Sequence, residues 1–190
     1  MRDKKSEDSM ICVKGNNVIV QNLRFWSTVI TKILDMDSTV WISWNRQNDV
    51  YFICYMIERV ARKLHQRNKY VVNEIGKEKL EHLISVANVL HAENPLAVED
   101  DWIEEYDLAE GNVDVTAVDP ELVTTIPSAT QMGKVYQRLI YETMQPEESE
   151  VEGIIRVYND EICDVIDNYN CSAYYEPSYV IARAYHNGGF

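Results

Sequence analysis

From Asn48 to Gln66 the chain presents one continuous apolar surface. Ile53, Ile57, Val60 and Leu64 recur at i, i+4, i+7 and i+11, the period of one helix face. Tyr51, Phe52, Cys54, Tyr55 and Met56 widen that stripe until the first half has little polar surface left. A helix apolar nearly all round cannot lie on a surface; other amphipathic elements must surround it. The pattern therefore predicts a central helix over 49–66, capped by Asn48, inside a bundle.

The remaining periodicity supplies the surrounding helices. Leu23, Phe25, Trp26, Val29, Ile30, Ile33 and Leu34 predict a first helix over 21–34, followed by a connector over 35–48 that holds Trp41 and Trp44. A short helix over 69–75 should end at Gly76, and another should run from Leu80 to Ala92. Asn94-Pro95 opens a helix to Tyr106, and Ser128 caps one to Met144. Val151, Ile154, Tyr158, Ile162, Val165 and Tyr169 predict a long helix over 148–169, and a last short one covers 178–185. Residues 107–127 form the longest break. Loops of that length in a compact domain are functional or packed across a groove.

Gly15-Asn16 between two β-prone runs predicts a small hairpin. The fold class is all-α: a single-domain bundle of about seven helices with a minor N-terminal β-hairpin. Residues 1–10 read as a flexible tail and 11–190 as a single helical domain. Within it, 11–47 hold the hairpin and first helix, and 48–190 the helical core.

Charge is distributed unevenly along this frame. Residues 1–92 carry fourteen Lys and Arg against ten Asp and Glu, whereas residues 93–190 carry four against twenty-one. The net charge is −13. Self-repulsion of that size costs stability, and it serves either solubility or attraction to a basic partner. It also argues against DNA binding, which needs a positive face; a helix-turn-helix reading of 69–91 fails because Glu78 and Glu81 flank Lys77 and Lys79. The first residues have no apolar core of a secretory signal, and no apolar run is long enough to span a membrane. A cytoplasmic location with four reduced cysteines is expected.

Few groups suggest chemistry. Cys12, Cys54, Cys163 and Cys171 lack metal-ligand spacing, so no metal and no cofactor is expected, and no catalytic residue is assigned. His82 and His91 point to opposite faces of one helix and cannot share a metal. His91 with Glu93 or Glu81 would make an acid–base pair, against the simpler reading of a surface histidine. Arg59, Arg62, Lys63 and Arg67, with Lys69, form the one basic cluster and the candidate anion site. Such a patch more often pairs with the protein's own acids, or with those of a second copy in a homodimer. Asp160, Glu161, Asp164 and Asp167 fall in an i, i+4, i+7 carboxylate row. With Glu152 they form the candidate acidic face for a partner, against the reading of a merely solvated surface.

Several stretches together resemble a known family. They are Asn48-Asp-Val-Tyr-Phe-Ile-Cys-Tyr-Met-Ile-Glu-Arg-Val-Ala-Arg-Lys, Tyr70-Val-Val-Asn-Glu-Ile-Gly-Lys-Glu, Val89-Leu-His-Ala-Glu-Asn, Met132-Gly-Lys-Val-Tyr-Gln-Arg-Leu-Ile, and Val157-Tyr-Asn with Asp167-Asn-Tyr-Asn. Over residues 48–185 the chain resembles a family of small uncharacterised acidic helical proteins common in gut Firmicutes. The resemblance implies a mobile-element or toxin–antitoxin-like context and assigns no residue a role. The functional expectation is an intracellular acidic binding protein that engages a basic protein partner, as an antitoxin or defence-associated inhibitor. Two alternatives share the features: an enzyme acting on nucleotides or nucleic acid, and a DNA mimic that inhibits a nucleic-acid enzyme.

Overall fold

The computed structural model describes residues 10–14, 17–21 and 38–190, with side chains from residue 46 onward. The chain divides into two units, Met1–Asn45 and Arg46–Phe190. In the first, β1 (Met10–Lys14) and β2 (Asn17–Gln21) pair antiparallel, Met10 opposite Gln21 and Lys14 opposite Asn17. The Gly15-Asn16 turn, the tail over 1–9 and all but the first residue of the expected helix over 21–34 lie outside the described residues.

Seven α-helices are described. They are α1 (Ser38–Lys63), α2 (Asn68–Leu90), α3 (Pro95–Glu105), α4 (Ala129–Glu142), α5 (Glu150–Asn159), α6 (Ile162–Ile166) and α7 (Ser178–Asn187), with a 3-10 turn over Ala173–Tyr175. None is long and apolar enough to cross a membrane. The apolar stripe of α1 is buried as its pattern demands: Ile53, Cys54, Met56, Ile57 and Val60 have no exposed surface. Around it α2 packs on α5, and α4 packs on α5 and α7. Tyr136 of α4 stacks on Tyr158 of α5 at 4.2 Å between ring centroids.

Side-chain caps explain three of the helix starts. Ser128 and Gln131 close a capping box on α4, and Ser149 and Glu152 close one on α5. The Asn94 side chain accepts from the Leu96 amide, with Pro95 in the first turn of α3. Gly76 has φ 75° and ψ 169°, a conformation open mainly to glycine, and it kinks α2 into the two expected segments.

Two expected boundaries are corrected. Residues 38–48 are helical, so Asn48 lies inside α1 and caps nothing. The Ser, Thr, Val, Trp and Asn of this stretch are weak helix formers, a preference that context overrides. The expected helix over 148–169 breaks at Asp160, which is extended at ψ 150°. Its carboxylate then accepts from the Ile162 amide at 2.9 Å and starts α6.

The loop over 107–127 is packed down. Its Gly111 and Val113 amides donate to the Leu64 and His65 carbonyls, both at 2.7 Å, and satisfy acceptors freed at the end of α1. The Ala109 amide donates to the Tyr70 hydroxyl, and the Asp119 amide to Asn170 Oδ1.

Gly133 sets the approach of α4 to α1. A Cβ there would sit 2.9 Å from the Tyr55 Cα, and a backbone atom cannot yield as a side chain can. Gly133→Ala should therefore lower stability by about 1–3 kcal/mol despite its gain in helix propensity. Chemical denaturation of the two proteins checks this; equal or greater stability of the variant would mean that the helices are not in that contact.

Candidate functional site

The most apolar helix carries one fully buried acid. Glu58, 1% exposed, lies one turn before Arg62 on α1, and its Oε1 accepts from Arg62 Nε at 2.6 Å. The Tyr169 hydroxyl also donates to Oε1, and itself accepts from the same guanidinium at 2.8 Å. Arg62 lies 5.1 Å from the Tyr169 ring centroid and donates to the Pro127 carbonyl. The other oxygen of Glu58 accepts from Asn68 Nδ2 at 2.7 Å. That same Nδ2 lies 3.1 Å from both oxygens of Asp167, and the Tyr136 hydroxyl donates to Asp167 at 2.5 Å. Cys163 Sγ is 3.0 Å from that hydroxyl. One network thus joins α1, the first residue of α2, the middle of α4 and the chain after α6.

Two carboxylates here meet through one amide, Asn68 Nδ2, while Arg62 bonds Glu58 alone, and electrostatics bears on the protonation of Asp167. Asp167 is half-buried as a residue, yet its oxygens face inward to Tyr136 and Asn68. Burial, then the negative charge of Glu58, push its carboxyl from the usual 3.8 up to about 8; the Tyr136 and Asn68 hydrogen bonds only partly offset this. Asp167 therefore keeps its proton to a higher pH than an ordinary aspartate does. Burial likewise pushes the Cys163 thiol well above its ordinary value, which disfavours the thiolate.

A cleft of about 450 Å³ opens beside this pair. Asp167 and Tyr169 lie on one side of it, Val113 to Ala117 of the long loop on another, with Arg67, Asp114 and Asp164 also lining it. The arrangement can give or take a proton through Asp167. Among the described residues, no group of three or more His, Cys, Asp and Glu converges to hold a metal ion.

The residues singled out in the sequence are dispersed among internal pairs. Arg59 is bound to Glu99 and to the Tyr55 hydroxyl, Arg62 to Glu58, Lys63 to Asp100, and Arg67 to Asp164. The basic cluster thus meets the protein's own acids, the simpler of its two readings. Of the acidic row, Asp160 starts α6, Asp164 takes Arg67 with Lys69 at 3.5 Å, and Asp167 joins the buried network. Glu152 is held down to about 2, first by Lys77 at 2.7 Å and then by its own cap. Only Glu161 stays exposed with no partner among the described residues. His91 sits 4.3 Å from the Phe52 ring and 3.5 Å from Asn48 Nδ2, with neither Glu81 nor Glu93 bonded to it. Sequence reasoning passed over Glu58, Asn68, Tyr136 and Tyr169. The one available signal was an acid, Glu58, in the middle of the most apolar stretch and four residues before an arginine.

No family model matches the chain, and no curated protein and no solved structure matches it.

Asp167 has a raised value in the folded protein, so its contribution to stability is complete below about pH 4 and is lost as pH climbs towards 8. Asp167→Asn removes the titration. The melting temperature of this variant should gain on the parent by several degrees between about pH 5 and 9. A difference that stays constant over that range would show that Asp167 ionises normally.

Proposed function

We propose that this protein is an acidic binding module that engages a basic protein partner, as an antitoxin or inhibitor does. One observation carries the reading. Asp101, Glu104, Glu105, Asp107 and Glu110 follow one another along the end of α3 and the start of the long loop. All are exposed, and none has a Lys or Arg nitrogen within 4 Å among the described residues, whereas the basic cluster is spent on Glu58, Glu99, Asp100 and Asp164. The interface proposed from sequence over 160–167 therefore moves to 101–110, with Glu161 as an outlying member. Surplus carboxylates that repel one another are a cost in the free protein, and a basic surface relieves it. Such complementarity speeds association and loses strength as salt rises.

A second reading has its own support: a proton-holding carboxylate beside an open cleft is the equipment of an acid–base enzyme. It names no substrate and ranks below the first.

Glu104→Lys, Glu105→Lys and Glu110→Lys in one protein should leave far-UV circular dichroism unchanged. Basic proteins captured from the native host at low salt should be lost from this variant, with association slowed by about tenfold or more. Capture of the same partner at the same rate across salt concentrations would place the interface elsewhere.

A further inference from the structure

Arg46–Phe190 holds twelve Lys and Arg. Eight of them, Arg46, Arg59, Arg62, Lys63, Arg67, Lys69, Lys77 and Arg156, lie within 4 Å of a carboxylate. Lys79 sits over the Tyr106 ring at 4.9 Å. Three remain without a partner among the described residues: Lys134, Arg138 and Arg183. Acids outnumber bases heavily over this stretch, so an unpaired cation is the exception. Lys134 and Arg138 lie four apart on α4, where like charges repel. Both line one cleft of about 310 Å³, the lower end of the range for small-molecule sites.

The rest of that cleft is not a cation's usual surroundings. Tyr174 and Tyr175 form one wall, their rings 4.6 Å apart. Tyr174 is 7% exposed and anchors the pair; Tyr175 is 61% exposed and offers its ring to solvent. A large ring held by a buried neighbour, yet left open, is a ready surface for another flat ring. Glu176 is the one acid on the wall, and it makes no ion pair with Lys134 or Arg138. Its carboxylate can accept from hydroxyl or amine groups. α7 also begins here, at Ser178 after Pro177, with no side chain capping its first amides, so its positive end adds to the local field.

We propose that this cleft binds a nucleoside monophosphate, with the phosphate between Lys134 and Arg138 and the base against Tyr175. Two cations match one doubly charged phosphate, the exposed tyrosine matches a planar base, and Glu176 matches the hydroxyls and amines that a nucleoside carries and inorganic phosphate lacks. The protein's overall negative charge repels anions, so a site of this kind has to be assembled locally, from the cations left unpaired. The proposal is independent of the basic-partner reading, which concerns α3 and the start of the long loop.

Isothermal titration of the whole chain at low salt, with AMP, adenosine and inorganic phosphate as separate probes, tests it. AMP should bind more tightly than either fragment. Lys134→Gln with Arg138→Gln should weaken AMP by about tenfold or more, since two charge-assisted contacts are lost. Tyr175→Ala should weaken AMP and leave inorganic phosphate unchanged. Absence of AMP binding at millimolar concentration, AMP binding no tighter than phosphate, or unaltered AMP binding by the double variant would each overturn the proposal.

Discussion

Glu58 puts a carboxylate where the hydrophobic effect wants none, on the inner face of the helix that forms the centre of the core. A buried charge left unpaired costs about 3–5 kcal/mol, so its surroundings cannot be arbitrary. Arg62, one turn along, supplies the countercharge, and Tyr169 and Asn68 fill the remaining acceptor sites. Each partner carries a further constraint. Tyr169 brings the chain after α6 against α1, Asn68 fixes the start of α2, and Arg62 reaches the Pro127 carbonyl just before α4. The long loop ends where that guanidinium holds it. A hydrophobic core alone tolerates sliding of its helices; a shared set of directional bonds to one buried acid does not.

The same economy governs charge elsewhere. Arg59 and Lys63 join α1 to α3 through Glu99 and Asp100, Lys77 joins α2 to Glu152, and Arg156 joins α5 to Glu148, the Thr143 carbonyl and the Tyr185 hydroxyl. Cations are scarce beside acids from Arg46 to Phe190, and eight of the twelve there are paired with the protein's own carboxylates. What is left outside is an excess of carboxylates at the end of α3 and along the loop, and a pair of cations in a cleft on α4. These two residues of the charge balance, rather than the total of −13, are what other molecules meet.

Much of the scaffold was legible because it depends on local rules. Serine caps at α4, proline at α3, glycine at the kink in α2 and the apolar stripe of α1 each follow from a few neighbouring residues. The start of α1 was not legible, since residues 38–48 have weak intrinsic preference and owe their helix to context. The break at Asp160 was hidden because Ile162 and Ile166 keep helical spacing across it; only the aspartate's cap on Ile162 interrupts the backbone. Charge was the least legible feature. Arg67 and Asp164 are far apart in sequence and nothing local pairs them, so a basic cluster and an acidic row looked like two surfaces although Asp164 joins them and most of the remaining charges pair elsewhere. Glu58 was visible as a residue, but Asn68, Tyr136 and Asp167 became its neighbourhood only through the fold.

Glu58 and Asp167 meet on the Asn68 amide and the arginine there bonds Glu58 alone, so Asp167 keeps its proton well above the ordinary aspartate range. Carbon-13 NMR of the Asp167 side-chain carboxyl, followed from about pH 3 to 10 and assigned with Asp167→Asn, measures this directly. The resonance should stay in its protonated position through neutrality and move near pH 8. A resonance that completes its shift near pH 4 would contradict this, because burial and the charge of Glu58 would then have left Asp167 an ordinary aspartate.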